Sequence, residues 1–179
     1  MEILFVAALK EETPTLNKFH HTGVGKINDT MKLMDLIYLY KPTKVINYGT
    51  AGSLKKEISG LVECSTFIQH DMDARGLLNF KLGETPFDPI SKIKFSNEGY
   101  ICASGDKFVK NQLEMNCDIV DMEAYALAKV CMVFGVNFKC MKFISDIIGQ
   151  GDQTSDWEAN KALGVEMFES GLKDLIGEK

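Results

Sequence analysis

Arginine is nearly missing from this 179-residue chain: of twenty Lys and Arg residues, only Arg75 is an arginine. Phosphate groups are usually held by forked, bidentate arginine contacts, so a site built on arginine clamps has one place at most to form. An excess of positive charge is missing too. The formal net charge is −5, and the lysine-rich stretches are short and mixed with acids. Nucleic-acid surfaces are basic patches or stripes, so the composition argues against a nucleic-acid partner. No apolar run approaches the roughly 20 residues of a membrane span. The opening MEILFVAALKEE has an acid at position 2 and no basic leader, so it does not read as a signal peptide. Closely spaced cysteines are absent as well. Cys64, Cys102, Cys117, Cys131 and Cys140 contain no pair at zinc spacing. Cys102, Cys131 and Cys140 sit in apolar runs, where a free thiol acts as a small hydrophobe. The expectation is a reduced, cytoplasmic protein with no structural metal and no cofactor.

What is present is an ordinary globular composition, 45% hydrophobic and 25% charged, in a length that fits one domain over residues 1–179. Short apolar runs alternate with helical stretches. Residues 3–8 (ILFVAA) read as a buried strand. Thr13-Pro14 looks like a helix N-cap followed by proline. Ile27, Met31, Met34, Ile37 and Tyr38 recur at helical spacing. Strands are expected at 45–48, 64–69, 100–103, around 119–120 and at 138–144, with a helix over 123–134 closed by Gly135. Ser155-Asp156-Trp157-Glu158 has the form of a capping box, opening a last helix that runs to about Ile176. Residues 71–98, with Gly76, Gly83, Pro86 and Pro89, are not periodic and read as a long loop. The alternation predicts an α/β fold with helices on both faces of a parallel or mixed sheet.

In such sheets ligands bind beyond the carboxyl ends of the strands. There the sequence places Glu11-Glu12, the run Gly49-Thr50-Ala51-Gly52-Ser53, Ser104-Gly105-Asp106, Asp121-Met122-Glu123 and Ser145-Asp146. Each acid has a structural alternative. Glu12 and Glu123 fall where a helix dipole favours a carboxylate, and Asp146 can start a turn. Their convergence raises the functional reading without naming a reaction. Gly23-Val24-Gly25-Lys26 matches only half of a dinucleotide or phosphate-loop motif. The preceding segment, 18–21, makes a poor strand. His20-His21 have no partner at metal spacing and are expected in an exposed loop. His70-Asp71-Met72-Asp73 reads as the start of a loop.

Seven segments in order resemble the nucleoside phosphorylase superfamily, and within it the 5'-methylthioadenosine/S-adenosylhomocysteine nucleosidase family. They are AALKEE (7–12), TGVGKIN (22–28), INYGTAGSL (46–54), HDMDARG (70–76), ASGDKFV (103–109), VDMEAYALAKVC (120–131) and ISDIIGQ (144–150). The combination of ASGDKF, VDMEA and ISD is the specific part. The resemblance implies a three-layer αβα sandwich with a twisted mixed central sheet, assembled as a homodimer. It implies hydrolysis of the bond between adenine and a 5'-thio-substituted ribose. Glu12 would activate water, and Asp146 would protonate purine N7, oriented by Ser145. Glu123 would grip the ribose hydroxyls beside Met122. Phe108 would stack on adenine and the Val109 backbone would read its edge. Thr50 stands where the family often has serine, with Ala51 and Gly52 beside it. Leu9, Val24, Ala74, Leu77 and Trp157 fall at positions lining the 5'-substituent pocket. An acid is needed because adenine leaves poorly unless N7 is protonated, and carboxylates suit the oxocarbenium-like sugar of glycosidic cleavage.

The sequence departs from the family by being short, with trimming between Glu12 and TGVGK, between Pro86 and Tyr100, and between Lys110 and Cys117. Arg75 is read either as a solvated loop residue or as a partner for the carboxylate of a homocysteine tail. Three rival functions are weighed: a purine nucleoside phosphorylase, a nucleosidase for another 5'-modified purine nucleoside, and a nucleoside-binding protein without catalysis. The missing arginines argue against the first, and retention of all three acids argues against the last.

Overall fold

Across residues 3–176, those described by the computed structural model, eight strands and four helices follow one another. They are β1 (Ile3–Ala7), β2 (Phe19–His21), α1 (Lys26–Tyr40), β3 (Lys44–Ser53), β4 (Leu61–Gln69), β5 (Ile93–Lys94), β6 (Tyr100–Ser104), β7 (Ile119–Asp121), α2 (Ala124–Phe134), β8 (Asn137–Ile147), α3 (Gln153–Asn160) and α4 (Val165–Ile176). A single 3-10 turn, Lys10–Glu12, follows β1. The strands form one mixed sheet in the order β2-β1-β3-β7-β6-β4-β5, and β8 pairs with both β3 and β4. β8 is parallel to β3 and antiparallel to β4, whereas β7 is antiparallel to β3 and parallel to β6. Pairing therefore closes through β3, β7, β6, β4 and β8. The central strands are buried on both faces, which is why they read as apolar runs without alternation.

Helices cover both faces. On one, Leu33, Leu36 and Ile37 of α1 and Leu127, Ala128 and Cys131 of α2 join Val6, Val45, Phe67 and Cys140 of the sheet. On the other, Val165 and Phe168 of α4 pack on Phe19, Ile46, Tyr48 and Met141. This is the three-layer αβα arrangement that the resemblance implies.

Several local expectations change. No helix follows Thr13-Pro14; turns lead into β2, an edge strand parallel to β1. His20 and His21 therefore lie in a strand, where the His21 ring nitrogen Nε2 is 2.9 Å from the Thr13 hydroxyl. Of the apolar repeat read in α1, only Ile37 faces inward, with Asp29, Leu33 and Leu36; Ile27, Met31, Met34 and Tyr38 are exposed. The last helix is two. α3 is capped by Asp152, which accepts from the Thr154 N–H, so Ser155 lies inside the helix. Gly164 marks the break, because a Cβ there would sit 2.4 Å from Phe143 and the Tyr48 hydroxyl.

A lysine lies at the centre of the sheet. Lys142 of β8 is in register with Gly49 of β3, and its ammonium is 2.8 Å from Asp121 with both side chains shut off from water. Burial works against the ammonium, but the Asp121 charge wins and holds its pKa well above the ordinary lysine value. Gly49 has to lack a side chain, since a Cβ would meet the Lys142 ammonium at 3.2 Å. Removing one partner of such a pair leaves a buried charge unpaired, which costs about 3–5 kcal/mol. Lys142→Met is expected to lose that much in urea unfolding monitored by circular dichroism. A loss under 1 kcal/mol would show the pair to be dispensable.

Candidate functional site

Glu12 sits one 3-10 turn beyond β1, and its carboxylate is nearly closed off from solvent. Oε1 accepts from the Thr50 N–H at 2.9 Å and from the Thr50 hydroxyl at 2.7 Å. Oε2 accepts from the Leu9 N–H at 3.2 Å. The same Thr50 hydroxyl accepts from the Trp157 indole N–H at 3.0 Å.

Glu123, the N-cap residue of α2, is met by the start of α1. The Gly25 N–H donates to Oε1 at 2.9 Å. Gly25 has φ +89 and a Cβ there would be 3.0 Å from Asp106, so the TGVGK turn needs glycine to bring this N–H in. Lys26 fixes the turn from outside, its N–H on Asp106 at 2.7 Å and its ammonium on Asp71 at 2.5 Å. Asp146, on β8, has both oxygens engaged: Ser145 donates to Oδ1 at 2.7 Å and Gln153 to Oδ2 at 3.3 Å. The second N–H of the Gln153 amide goes to the Val109 carbonyl at 3.0 Å.

These groups surround one cavity of about 210 Å³. Of the residues singled out in the sequence, Leu9, Glu12, Val24, Thr50, Ala51, Gly52, Phe108, Val109, Met122, Glu123, Ser145, Asp146 and Trp157 all line it. Lys107, Asp121 and Ile148 join them. Leu77 does not, nor does Ala74. Leu77 is half exposed on the loop that follows β4. Arg75 is also elsewhere. Its guanidinium donates to Asp73 at 2.9 and 2.6 Å and to Glu114 at 2.9 Å, all exposed. The solvated-loop reading of Arg75 is therefore the one that fits, and the homocysteine-tail reading does not. Among the described residues no group of three or more His, Cys, Asp or Glu side chains has the geometry to hold a metal ion.

Two residues went unnoticed in the sequence. Lys142 had a signal: a lysine inside the run FKCMKFI demands a buried acid. Gln153 had none, because a single amide beside a loop is common.

A family profile described as the phosphorylase superfamily matches residues 19–176. The 5'-methylthioadenosine/S-adenosylhomocysteine nucleosidases of Bacillus thuringiensis (strain Al Hakam) and Bacillus cereus (strain AH187) are each 31% identical, covering 75% of this chain and 69% of theirs. Among solved structures, a mutant Helicobacter pylori nucleosidase of that kind, with 5'-methylthioadenosine in its active site, superposes with a TM-score of 0.86 at 22% identity, covering 99% of both chains. The futalosine hydrolase of Helicobacter pylori superposes equally well, with a TM-score of 0.86 at 23% identity over 99% of this chain and 97% of its own. The chain belongs to the phosphorylase superfamily.

The electrostatics under the cavity are unbalanced. Asp121, Glu123 and Asp29 are three buried acids facing one buried base, Lys142. Burial tends to raise Asp121, but Lys142, with hydrogen bonds from Ser104 and the Ala124 N–H, brings it below the usual carboxylate value. Glu123 is pushed up to about 7 by burial and then by the Asp121 charge. Asp29, in the first turn of α1, goes to about 8 through burial and then the Glu123 charge. The nearby Thr22 hydroxyl is spent on the Ala7 carbonyl at 3.1 Å, and neither Asp29 oxygen has a hydrogen-bond partner. Asp29 is thus held as a neutral acid at pH 7. Unfolded, it ionises near 3.8; folded, near 8. Between those values the folded state keeps a proton that the unfolded state has lost, so stability falls as pH rises from about 4 to about 8. Asp29→Asn removes this slope. It is expected to stabilise by on the order of a few kcal/mol at pH 7.5, with the gain shrinking toward zero near pH 4. Denaturant melts across that range check it, and a gain independent of pH would contradict it.

Proposed function

We propose that this protein is a purine nucleosidase that hydrolyses the N-glycosidic bond of 5'-methylthioadenosine, S-adenosylhomocysteine or both, releasing adenine and the 5-thio-substituted ribose. The observation that carries it is the convergence of Glu12, Glu123 and Asp146 on one cavity that no arginine lines. The identity to the Bacillus nucleosidases supports it.

In this reading Asp146, oriented by Ser145, gives a proton to N7 while Phe108 stacks on the purine and the Val109 backbone meets its edge. As the C1'–N9 bond breaks, the electron pair leaves with adenine, and the sugar takes on oxocarbenium character. Glu12 takes a proton from water, whose oxygen joins C1'. Thr50, Ala51 and Gly52 line the side from which the water arrives. Glu123 accepts from the ribose hydroxyls beside Met122, and two hydroxyl donors favour its charged form. Leu9, Val24 and Trp157 receive the 5' substituent. Residues 1–179 act as one nucleosidase domain with no cofactor, metal or nucleic-acid partner. Five free, buried cysteines suit a reducing cytoplasm, and among the described residues no helix is long and apolar enough to cross a membrane.

Phosphorolysis needs an anion clamp, and the one arginine is paired with Asp73 and Glu114 outside the cavity. Adenine release from methylthioadenosine is therefore expected without phosphate. Adenine that appears only with phosphate, alongside 5-methylthioribose 1-phosphate, would mark a phosphorylase instead. A panel of other 5'-modified purine nucleosides tests the neighbouring reading, a nucleosidase for a different member of that class. Glu12→Gln and Asp146→Asn are each expected to slow turnover at least about a hundredfold, roughly 3 kcal/mol of barrier. Adenine-analogue binding should persist in Glu12→Gln. Near-normal turnover in either variant removes that residue from the mechanism.

We also place the protein as a homodimer. Ile27, Met31 and Tyr38 on α1, with Leu77, Leu78 and Phe87 on the 71–98 loop, are large apolar side chains left exposed on one protomer. Light scattering at micromolar concentration is expected to give twice the chain mass, and a fully active monomer would contradict it.

A further inference from the structure

Helix α3 carries three amide or indole donors at Gln153, Trp157 and Asn160. The spacing i, i+4, i+7 puts them on one helical face, and all three reach the cavity wall. Trp157 donates to the Thr50 hydroxyl at 3.0 Å. Gln153 donates to Asp146 at 3.3 Å and to the Val109 carbonyl at 3.0 Å. Asn160 donates to the Ser145 carbonyl at 2.8 Å. Little else fixes this helix. Gln153 is its one buried residue, and the remaining seven are partly or fully exposed. An apolar stripe normally anchors a surface helix; here the anchor is polar and ends on the site.

We infer that α3 is a positioning helix for both proposed catalytic carboxylates, with Trp157 orienting Glu12 through Thr50 and Gln153 orienting Asp146. The inference rests on the nucleosidase reading above.

The Trp157 arm works through hydrogen-bond polarity. A threonine hydroxyl has one proton and two lone pairs. The indole N–H is a donor only, so it occupies a lone pair of Thr50 Oγ1. The hydroxyl proton is then left to point at Glu12 Oε1, 2.7 Å away. Oε1 also takes the Thr50 N–H and Oε2 the Leu9 N–H. The carboxylate plane is thus fixed by three donors, one of which is set by Trp157. Chained hydrogen bonds of this kind polarise one another. The Gln153 arm works directly. With Ser145 on Oδ1 and Gln153 on Oδ2, the Asp146 carboxyl cannot rotate. The same amide ties Asp146 to Val109, so the proton donor and the backbone that meets the purine edge keep a fixed separation. Because Trp157 also lines the cavity, a 5' substituent packed against its ring holds the indole N–H on Thr50. The arrangement links the tail of the substrate to the alignment of the base.

The test separates the two arms by mutant cycles on the full chain. Trp157→Phe keeps a ring and loses the N–H; Gln153→Met keeps the length and loses the amide. Each is expected to lower kcat on methylthioadenosine about tenfold while KM stays within about twofold. Thr50→Val should match Trp157→Phe, and Thr50→Ser, which keeps the hydroxyl, should recover most of the kcat that Thr50→Val loses. The double variant Thr50→Val with Trp157→Phe should be no slower than either single change, because both cut one relay. Trp157→Phe with Gln153→Met should multiply to about a hundredfold, because the arms serve different carboxylates. A helix that matters only for stability would lower the melting temperature, raise KM and show no selective non-additivity at Thr50, and that result overturns the proposal. So does a wild-type kcat in Trp157→Phe and Gln153→Met. A wild-type protein that releases no base from any nucleoside overturns the nucleosidase reading itself. Active wild-type enzyme with unaffected variants overturns only the role of α3.

Discussion

Lys142 places an ammonium 2.8 Å from Asp121 in the middle of the sheet, where neither group reaches water. Asp121 also accepts from the Ala124 N–H at 2.9 Å, and its other oxygen takes the Ser104 hydroxyl. Ser104 in turn accepts from the Tyr125 N–H at 2.8 Å. One carboxylate thus ties together β6, β7, β8 and the first turn of α2. A buried charge of this kind is tolerated when it is paired and hydrogen-bonded, and here both Asp121 oxygens are engaged. The positions that follow from it are those of Glu123, two residues beyond Asp121, and of Gly49, which lets the ammonium approach β3. Glu12 lies over the same glycine, 3.6 Å from where a Cβ would stand. The cavity floor is therefore arranged around one cation.

That cation is outnumbered. With Asp121, Glu123 and Asp29 all ionised, the buried cluster would carry excess negative charge in a place of low dielectric. Asp29 relieves it by keeping its proton, and Glu123 sits close to its own titration point. A carboxylate balanced in this way gains most from ligands that donate hydrogen bonds, and a ribose diol is such a ligand. The helix geometry adds to the effect, since α1 brings the Gly25 N–H to Glu123 and carries Asp29 one turn later.

Much of this was legible in the sequence, for identifiable reasons. Strands β3 and β8 are buried on both sides, so they appear as apolar runs, and their polar ends stand out. Of the fifteen residues named for the site, several of them on the family resemblance, thirteen line the cavity. The exceptions, Ala74 and Leu77, sit on an aperiodic loop, where no repeat fixes the direction of a side chain. β2 was hidden because a three-residue edge strand depends on pairing with β1 and not on its own pattern. α1 was recognised as a helix, but of the five apolar residues read at helical spacing only Ile37 is buried. Its apolar residues form two stripes, and the shorter one, Leu33, Leu36 and Ile37, is the buried one. The break between α3 and α4 follows from the close approach of Gly164 to Phe143 and Tyr48, a tertiary contact invisible in a local window.

The three segments that the sequence leads one to expect short contribute no residue to the cavity wall. They lie between Glu12 and the TGVGK turn, between Pro86 and Tyr100, and between Lys110 and Cys117. The wall of the cavity comes from strand ends and from the starts of α1 and α2, with α3 behind it. None of these can be shortened without losing a hydrogen bond already counted: Gly25 to Glu123, Thr50 to Glu12, Ser145 and Gln153 to Asp146. Loops tolerate loss because closing them costs little that depends on length, whereas an orphaned buried carboxylate costs several kcal/mol. Energetics therefore favour length changes in the parts that do not touch the three acids.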